Sequence, residues 1–171
     1  NKTQNHVSPV PWNKGRLIGQ KSPLSLQDIW SIRMKLQNEG RLRDLALFNL
    51  GLDSKLRACD LLNLRVSDVS NGETVNSRAT VLQQKTGRPV RFEITRKSRK
   101  AATDWIEHAG LVGSDYLFPS RIHKSQHLST RQYSRMLSSW VAAIGLDPTS
   151  YGTHSMRRTK ATLLYRRTKN L

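Results

Sequence analysis

The sequence has little cysteine, little acid and no long apolar run. Cys59 is the single cysteine among 171 residues, so neither an intramolecular disulfide nor a cysteine-rich zinc site can form within the chain. No uninterrupted apolar stretch approaches the ~18 residues of a membrane-spanning helix, and no signal-peptide pattern opens the sequence. The length is that of one ordinary domain. We therefore expect a cytoplasmic protein with no membrane partner.

The scarcity of acidic residues leaves a large positive charge. Lys and Arg together number 29 against 12 Asp and Glu, a formal net charge of +17, and Asp147 is the only acid from Tyr116 onward. Like charges repel one another within a compact domain, and a charge of this size is typical of proteins that bind a polyanion. Nucleic acid is the leading candidate, although a ribosomal or RNA-binding role, or an acidic membrane surface, would produce the same charge balance.

Sequence signatures of common cofactor sites are also missing. There is no Walker-type phosphate loop and no Rossmann glycine fingerprint. His123 and His127 are four residues apart, but no nearby carboxylate or cysteine completes a metal site. We therefore predict neither a bound metal nor a nucleotide cofactor.

The pattern of apolar residues predicts a mainly α domain that contains a small antiparallel β-hairpin. Residues 1–23 are basic and rich in proline and glycine, which is typical of a flexible arm, and Lys14, Arg16 and Lys21 within it are suited to contacting phosphates. A weak capping box at Ser25 opens the first of the helices. The predicted helices cover residues 25–40, 41–52, 57–64, 98–109, 129–145 and 154 onward, and the predicted strands cover 79–84 and 90–95.

Three clusters could carry chemistry, and each has a plainer explanation. Arg57 lies in an apolar helical segment one turn before Asp60, so it binds either this carboxylate or a ligand anion. His154 and Arg157 share a face at a helix N-terminus, which suits phosphate binding with proton transfer or simple contact with DNA. Lys85 at the hairpin tip is either a reactive lysine or a solvated turn residue.

Taken together and in order, these clusters resemble the tyrosine recombinase (phage integrase) family. Residues 55–69, LRACDLLNLRVSDV after Lys55, look like the family's first-arginine motif, in which Arg is followed three residues later by Glu or Asp. Lys85 falls on the family's hairpin lysine, and residues 115–119 (DYLFP) are similar to its connector. Residues 152–162 (GTHSMRRTKAT) match its His-x-x-Arg box. The resemblance runs from about Ser25 to the end.

The resemblance implies a DNA breaking-rejoining catalytic fold and cleavage without cofactors through a 3′-phosphotyrosyl intermediate. Arg57 and Arg157 are then expected to hold the non-bridging phosphate oxygens. Lys85 protonates the leaving 5′-oxygen, His154 assists proton transfer and Asp60 supports the site. The implied partners are double-stranded DNA and, during synapsis, other copies of the protein in a tetramer. A bacterial cytoplasm, with the protein on the nucleoid or encoded by a mobile element, is the implied setting.

Other basic residues are expected to contact DNA without taking part in catalysis. Arg158 stands where many members of the family carry His, and it is interpreted as a DNA or packing contact. The full set of expected DNA contacts is Lys14, Arg16, Lys21, Arg88, Arg158 and Lys160.

The nucleophilic tyrosine of the family has no counterpart among the four tyrosines of this sequence. Tyr116 and Tyr133 are predicted to be core residues, Tyr151 precedes the His-x-x-Arg box, and Tyr165 follows Arg157 too closely on the same helix. We therefore expect residues 24–171 to be a recombinase catalytic domain without its C-terminal part. The family's separate N-terminal DNA-clamping domain is not recognisable either.

Two further functions fit the same residues. One is a basic DNA-binding module that does not cleave. The other is a type IB topoisomerase, which shares the Arg, Lys, Arg and His chemistry but relaxes supercoils. The length of the chain favours a recombinase.

The charge predicts strongly salt-dependent binding to duplex DNA. Each phosphate that a Lys or Arg neutralises releases counterions and contributes a slope of about −0.9 to the plot of log affinity against log salt. Fluorescence anisotropy across a salt series measures this slope, and some affinity for unrelated duplexes is expected, since phosphate contacts do not read sequence. A slope near zero would contradict nucleic acid as the partner.

Overall fold

The computed structural model describes residues 21–122 and 125–168. Lys14, Arg16 and His123 lie outside these residues. In the described part, seven α-helices and a short 3₁₀ helix surround one β-hairpin. The helices and strands, in chain order, are α1 (Leu26–Asn38), α2 (Leu42–Ser54), α3 (Ala58–Leu62), α4 (Val66–Val69), β1 (Arg78–Leu82), β2 (Pro89–Glu93), α5 (Arg96–Ala109), α6 (Thr130–Ala143), the 3₁₀ helix (Pro148–Ser150) and α7 (Thr153–Thr168).

Helix α2 is the centre of the core, and nearly all of its side chains are buried. Its sequence LALFNL is apolar around the whole helix, so neighbours must cover every side. Helices α1, α5 and α7 and strand β2 all pack against it. Its C-terminal end is bonded to α7 through Lys160 and to the segment after β2 through Thr95.

A buried carboxylate on α2 fixes its position relative to α6. Asp44 accepts a hydrogen bond from Trp140 Nε1 at 3.1 Å and is paired with Arg41 on its own helix. The Trp140 ring also stands edge-on to Phe48, with 5.7 Å between ring centroids. A buried charge needs such partners, and these partners orient two helices that are distant in sequence.

The hairpin confirms the predicted switch from helix to strand. β1 and β2 pair antiparallel with Arg78 opposite Glu93 and Leu82 opposite Pro89. Pro89, which we expected in the turn, is thus the first residue of β2. Gly87 has a φ of +64°, a conformation that favours glycine, and it allows the tight turn that carries Lys85.

The mainly α class with a small hairpin is confirmed, and the differences concern short segments. The capping box at Ser25 is formed. α3 begins at Ala58, which makes Arg57 its N-cap instead of a helical residue. α4 and the 3₁₀ helix were not predicted, because four and three residues are too few to show a helical period. None of the helices in residues 21–122 and 125–168 is long and apolar enough to cross a membrane.

We predict that Gly51→Ala destabilises the protein, although alanine is normally the better helix former by about 1 kcal/mol. A Cβ at Gly51 would stand 2.8 Å from the Tyr133 hydroxyl oxygen and 3.3 Å from Met156 Cε. Overpacking of this kind typically costs about 1–3 kcal/mol. Urea denaturation measures the change in the free energy of unfolding.

Tyr133→Phe provides the matched background, since it removes the oxygen that the new methyl group meets. The cost of Gly51→Ala should be smaller in Tyr133→Phe than in the parent protein. Equal costs in both backgrounds would show that the hydroxyl is not the obstacle.

Candidate active site

The α2 turn, residues 53–57, joins α2 to α3 and positions the first arginine. Lys55 ends α2 with a φ of 54°, the only non-glycine residue with positive φ in the described part of the chain. The Leu56 amide donates to Ser54 Oγ at 3.2 Å. Arg57 then has extended backbone (φ −61°, ψ 152°) before α3 begins. The turn thus places Arg57 directly before α3 instead of inside a helix.

Arg57 does not form the ion pair with Asp60 that the spacing allowed. Within residues 21–122 and 125–168, neither the buried Arg57 Nη1 nor the buried Asp60 Oδ2 has a hydrogen-bond partner, and no salt bridge joins the two residues. A buried donor on a guanidinium is costly to leave unpaired. An anion held by Arg57 would satisfy it, which favours the ligand-binding alternative.

Asp60 instead supports the hairpin. Its Oδ1 accepts a hydrogen bond from the Gln84 amide at 2.9 Å. Gln84 is the residue before Lys85, whose side chain is exposed at the tip of the hairpin. Asp60 therefore links the Arg57 segment to the lysine turn, as expected of a supporting residue.

The His-x-x-Arg box opens α7. Arg157 donates from Nε to the Lys55 carbonyl oxygen at 2.9 Å, two residues before Arg57. His154 is exposed one turn earlier on the same helix. Three of the four expected catalytic residues are thus connected: Arg57 belongs to the α2 turn, Arg157 binds this turn directly, and Lys85 follows Gln84, which is bonded to Asp60 three residues after Arg57. His154 shares α7 with Arg157.

Buried polar contacts set the orientation of α7. Ser155, Met156 and Thr159 form its buried side. The Gly152 amide donates to Ser155 Oγ at 3.0 Å, and the Leu24 amide donates to Thr159 Oγ1 at 3.0 Å. With this side fixed against the core, Arg157 faces the α2 turn.

A positively charged cavity lies between the α2 turn, the hairpin and α7. Its volume is about 780 Å³. Its basic lining residues outnumber the two acidic ones, Asp53 and Glu93. The basic residues are Lys55, Arg78, Arg91, Arg157 and Lys160. The excess of cations suits an anionic ligand.

Lys160 lies in this cavity but is directed at the protein. Its Nζ donates to the Asp53 carbonyl oxygen at 2.7 Å. Burial lowers the pKa of Lys160, and the nearby charge of Lys55 lowers it further, whereas Asp53 and Glu93 act in the opposite direction. Its contact with DNA stays a prediction, and in this structure its Nζ is bound to the protein instead.

The other expected DNA contacts are arranged differently. Arg158 donates from Nη1 to the Lys21 carbonyl oxygen at 2.6 Å. Lys21 Nζ donates to the Thr149 carbonyl oxygen, and the Ser22 amide donates to that of Ser150 at 2.9 Å. These bonds attach residues 21–24 to the start of α7.

Arg88 is exposed in the hairpin turn.

The described tyrosines occupy four different environments. Tyr133 is fully buried, and burial raises the pKa of its hydroxyl. Tyr116 is half-buried, with the Arg65 guanidinium 4.1 Å from its ring centroid. Tyr151 is half-buried before α7. Tyr165 is exposed on α7, eight residues beyond Arg157 and therefore about 12 Å further along the helix axis.

Two features of the site escaped sequence reasoning. Asp53 Oδ2 accepts hydrogen bonds from the Thr95 amide at 2.8 Å and the Thr95 hydroxyl at 2.9 Å, so it ties the end of β2 to α2. The Lys55 carbonyl is a backbone group and has no sequence signal. The described residues contain no group of three His, Cys, Asp or Glu side chains that could hold a metal.

The sequence matches a family model and a named relative over most of its length. The family model described as the phage integrase family matches residues 23–171. The probable integrase/recombinase YoeC of Bacillus subtilis (strain 168) is 30% identical over 147 residues, which are 86% of this chain and 76% of that relative.

Solved structures share the fold at lower sequence identity. The XerA recombinase has a TM-score of 0.73 and 21% identity over 89% of this chain and 53% of its own. The XerH recombinase bound to difH substrate has a TM-score of 0.68 and 19% identity over 87% of this chain and 44% of its own. The lambda integrase catalytic core has a TM-score of 0.61 and 19% identity over 86% of this chain and 85% of its own. The chain thus spans about half the length of the Xer structures.

We predict that Asp60→Ala loosens the hairpin tip, because the Gln84 amide loses its acceptor. Loss of one buried hydrogen bond costs about 1–3 kcal/mol. The free energy of unfolding should fall by this amount, and the Gln84 amide should exchange its hydrogen faster by NMR.

Asp60→Asn keeps an oxygen at the position of Oδ1 and should retain most of the protection of Gln84. Asp104→Ala is the surface control, since Asp104 pairs with the exposed Lys100 and such pairs contribute about 0–1 kcal/mol. Equal exchange rates in the Ala and Asn variants of Asp60 would contradict this role.

Proposed function

The chain belongs to the phage integrase family, and on that basis we propose that it carries out site-specific DNA recombination by cleaving and rejoining DNA strands. The observation that carries the proposal is the convergence of Arg57 and Arg157 on the α2 turn, where Arg57 Nη1 is buried without a partner among the described residues. Two arginines fixed in this way suit a phosphodiester, since a guanidinium binds paired phosphate oxygens.

In the proposed reaction the two arginines stabilise the negative charge that develops on the non-bridging oxygens of the phosphate. A tyrosine hydroxyl gives up its proton to a base, its oxygen forms a bond to phosphorus, and the bond from phosphorus to the 5′-oxygen breaks. Negative charge builds up on the non-bridging oxygens during this step. Cations fixed before the reaction stabilise this charge without reorganising. Arg57 and Arg157 occupy such positions because the α2 turn and the Lys55 carbonyl hold them.

Proton transfer falls to Lys85 and His154. Lys85 gives a proton to the departing 5′-oxygen, and the hairpin lets its exposed ammonium approach a phosphate in a groove. His154 assists proton transfer and lies one turn before Arg157. The phosphotyrosyl bond retains the energy of the broken linkage, so the 5′-hydroxyl of a second strand reseals the DNA by reversing these steps.

None of the four tyrosines is proposed as the nucleophile. Tyr133 is buried, Tyr116 is stacked against Arg65, and Tyr151 is half-buried ahead of the box. Tyr165 is exposed, but it extends from the same helix as Arg157 about 12 Å along the axis. We place the attacking tyrosine outside residues 1–171.

The proposed partners follow from the same chemistry. The substrate is double-stranded DNA, in agreement with the net charge of +17 and with the XerH structure, which contains a DNA substrate. We further propose a tetramer at synapsis and a bacterial cytoplasmic setting, on the nucleoid or encoded by a mobile element. The family match does not favour the alternatives of a non-catalytic module or a topoisomerase.

The test uses a nicked suicide duplex, which traps a covalent adduct because the released fragment diffuses away, and a form of the protein that includes the nucleophile. Arg57→Ala and Arg157→Ala should each slow adduct formation by about 10²–10³-fold, the usual loss for one oriented charge-stabilising donor. DNA affinity should change little, because each arginine contacts one phosphate among many.

Lys85→Ala should respond differently to a duplex with a 5′-bridging sulfur, since a thiolate leaves without a proton. That substrate should restore adduct formation in Lys85→Ala but not in Arg157→Ala; the reverse pattern would contradict the assigned roles. Tyr165→Phe is the matched tyrosine control and should form adduct at the parent rate. A DNA-linked Tyr165 would refute the placement of the nucleophile.

A further inference from the structure

Two basic side chains of α7 bind the C-terminal end of α2. Lys160 Nζ donates to the Asp53 carbonyl oxygen at 2.7 Å, and Arg157 Nε donates to the Lys55 carbonyl oxygen at 2.9 Å. The last carbonyl groups of a helix have no partner within the helix and are its negative end. Cations on α7 therefore supply what the end of α2 lacks.

The Lys160 contact is specific to the backbone. The Asp53 carboxylate is already used by Thr95, through the amide and the hydroxyl. In the described part of the chain Lys160 forms no salt bridge, and its ammonium is directed at the carbonyl. Lys160 is also half-buried, which separates it from the exposed basic residues of the cavity such as Arg91.

Lys160 binds one end of the α2 turn, and Arg57 lies at the other end. Asp53 is the first residue of this turn, and Arg57 is the last. Arg157 binds the same turn at the Lys55 carbonyl. Because both bonds join α7 to this turn, together they set how α7 and the turn lie relative to each other. A shift here moves the two arginines relative to one another.

We infer that Lys160 is a positioning residue for the recombination reaction, which caps α2 and thereby holds Arg57 and Arg157 in register on one phosphate. The inference rests on the proposed function. It replaces a DNA contact as the main role of Lys160, because an ammonium group that binds Asp53 must give up this bond, and leave a half-buried place, to reach a phosphate.

The first experiment compares Lys160→Met with Lys160→Arg and with Arg91→Met. Methionine keeps the length and apolar contacts of the stem but donates no hydrogen bond, whereas arginine keeps a donor. Arg91→Met removes the same charge from the exposed lining of the same cavity. Adduct formation on the suicide duplex is measured at saturating DNA, and affinity is measured across a salt series.

Lys160→Met should slow adduct formation by about 10–100-fold, since small misplacements of reacting groups have effects of this size. Its salt slope should equal that of the parent protein, and Lys160→Arg should recover part of the rate. If Lys160→Met instead weakens binding and lowers the salt slope, with the rate at saturating DNA unchanged, Lys160 is a phosphate contact and the inference is wrong.

A double-mutant cycle with Arg57→Ala tests whether Lys160 acts through Arg57. Coupled residues show non-additive effects, so Lys160→Met should slow the Arg57→Ala protein much less than it slows the parent protein. Fully additive losses would contradict the inference, because they would mean that Lys160 acts independently of Arg57.

Hydrogen exchange gives a readout that does not depend on catalysis. In Lys160→Met the amide of Leu56, which donates to Ser54 Oγ, should exchange at least about fivefold faster, the effect of one lost hydrogen bond, while the amide of Leu137 in α6 stays protected. If the parent protein forms no adduct but this local change occurs, the proposed function fails and the capping of α2 stands. Unchanged exchange at Leu56 would refute the capping itself.

Discussion

The C-terminal end of α2 is the constraint on which the candidate site depends. A helix leaves its last carbonyl groups without partners, and here two of those acceptors receive Lys160 and Arg157 from α7. The side chain of Asp53 at the same place holds Thr95, at the junction of β2 and α5. One turn, which itself contains Arg57, thus contacts α7, which carries Arg157, and a residue that follows the hairpin that carries Lys85.

The few acidic residues of the chain are placed where they organise cations or backbone. Asp44 pairs with Arg41 and Trp140, Asp53 binds Thr95, and Asp60 binds the Gln84 amide. None of the three forms a salt bridge with a residue expected to hold phosphate in the described part of the chain. The positive charge of the cavity is therefore available to bind an anion. Part of the net charge of +17 thus attracts an anionic partner as well as causing repulsion within the protein.

Features that neighbouring residues set were predictable from the sequence, whereas features that distant contacts set were not. The capping box at Ser25, the hairpin around Lys85 and the helix from the His-x-x-Arg box were predictable, because caps, turn residues and hydrophobic periods act over a few residues. The position of Arg57 at an N-cap was not predictable. The left-handed backbone of Lys55 interrupts the helix there, and the apolar residues around Arg57 give no signal for this conformation.

The sequence by itself determined the class of fold, the order of the helices and the hairpin, and the residue types of the site, since the motifs around Arg57, Lys85 and His154 are local and the family match covers residues 23–171. Only the tertiary structure decided which of these residues meet and what each one binds. Asp60 supports Gln84 instead of pairing with Arg57, and Lys160 binds the end of α2. The physical reason is that both bonds join groups far apart in the chain. Each bond also uses a backbone N–H or C=O group, which almost every residue carries, so no pattern of side chains in the sequence predicts it.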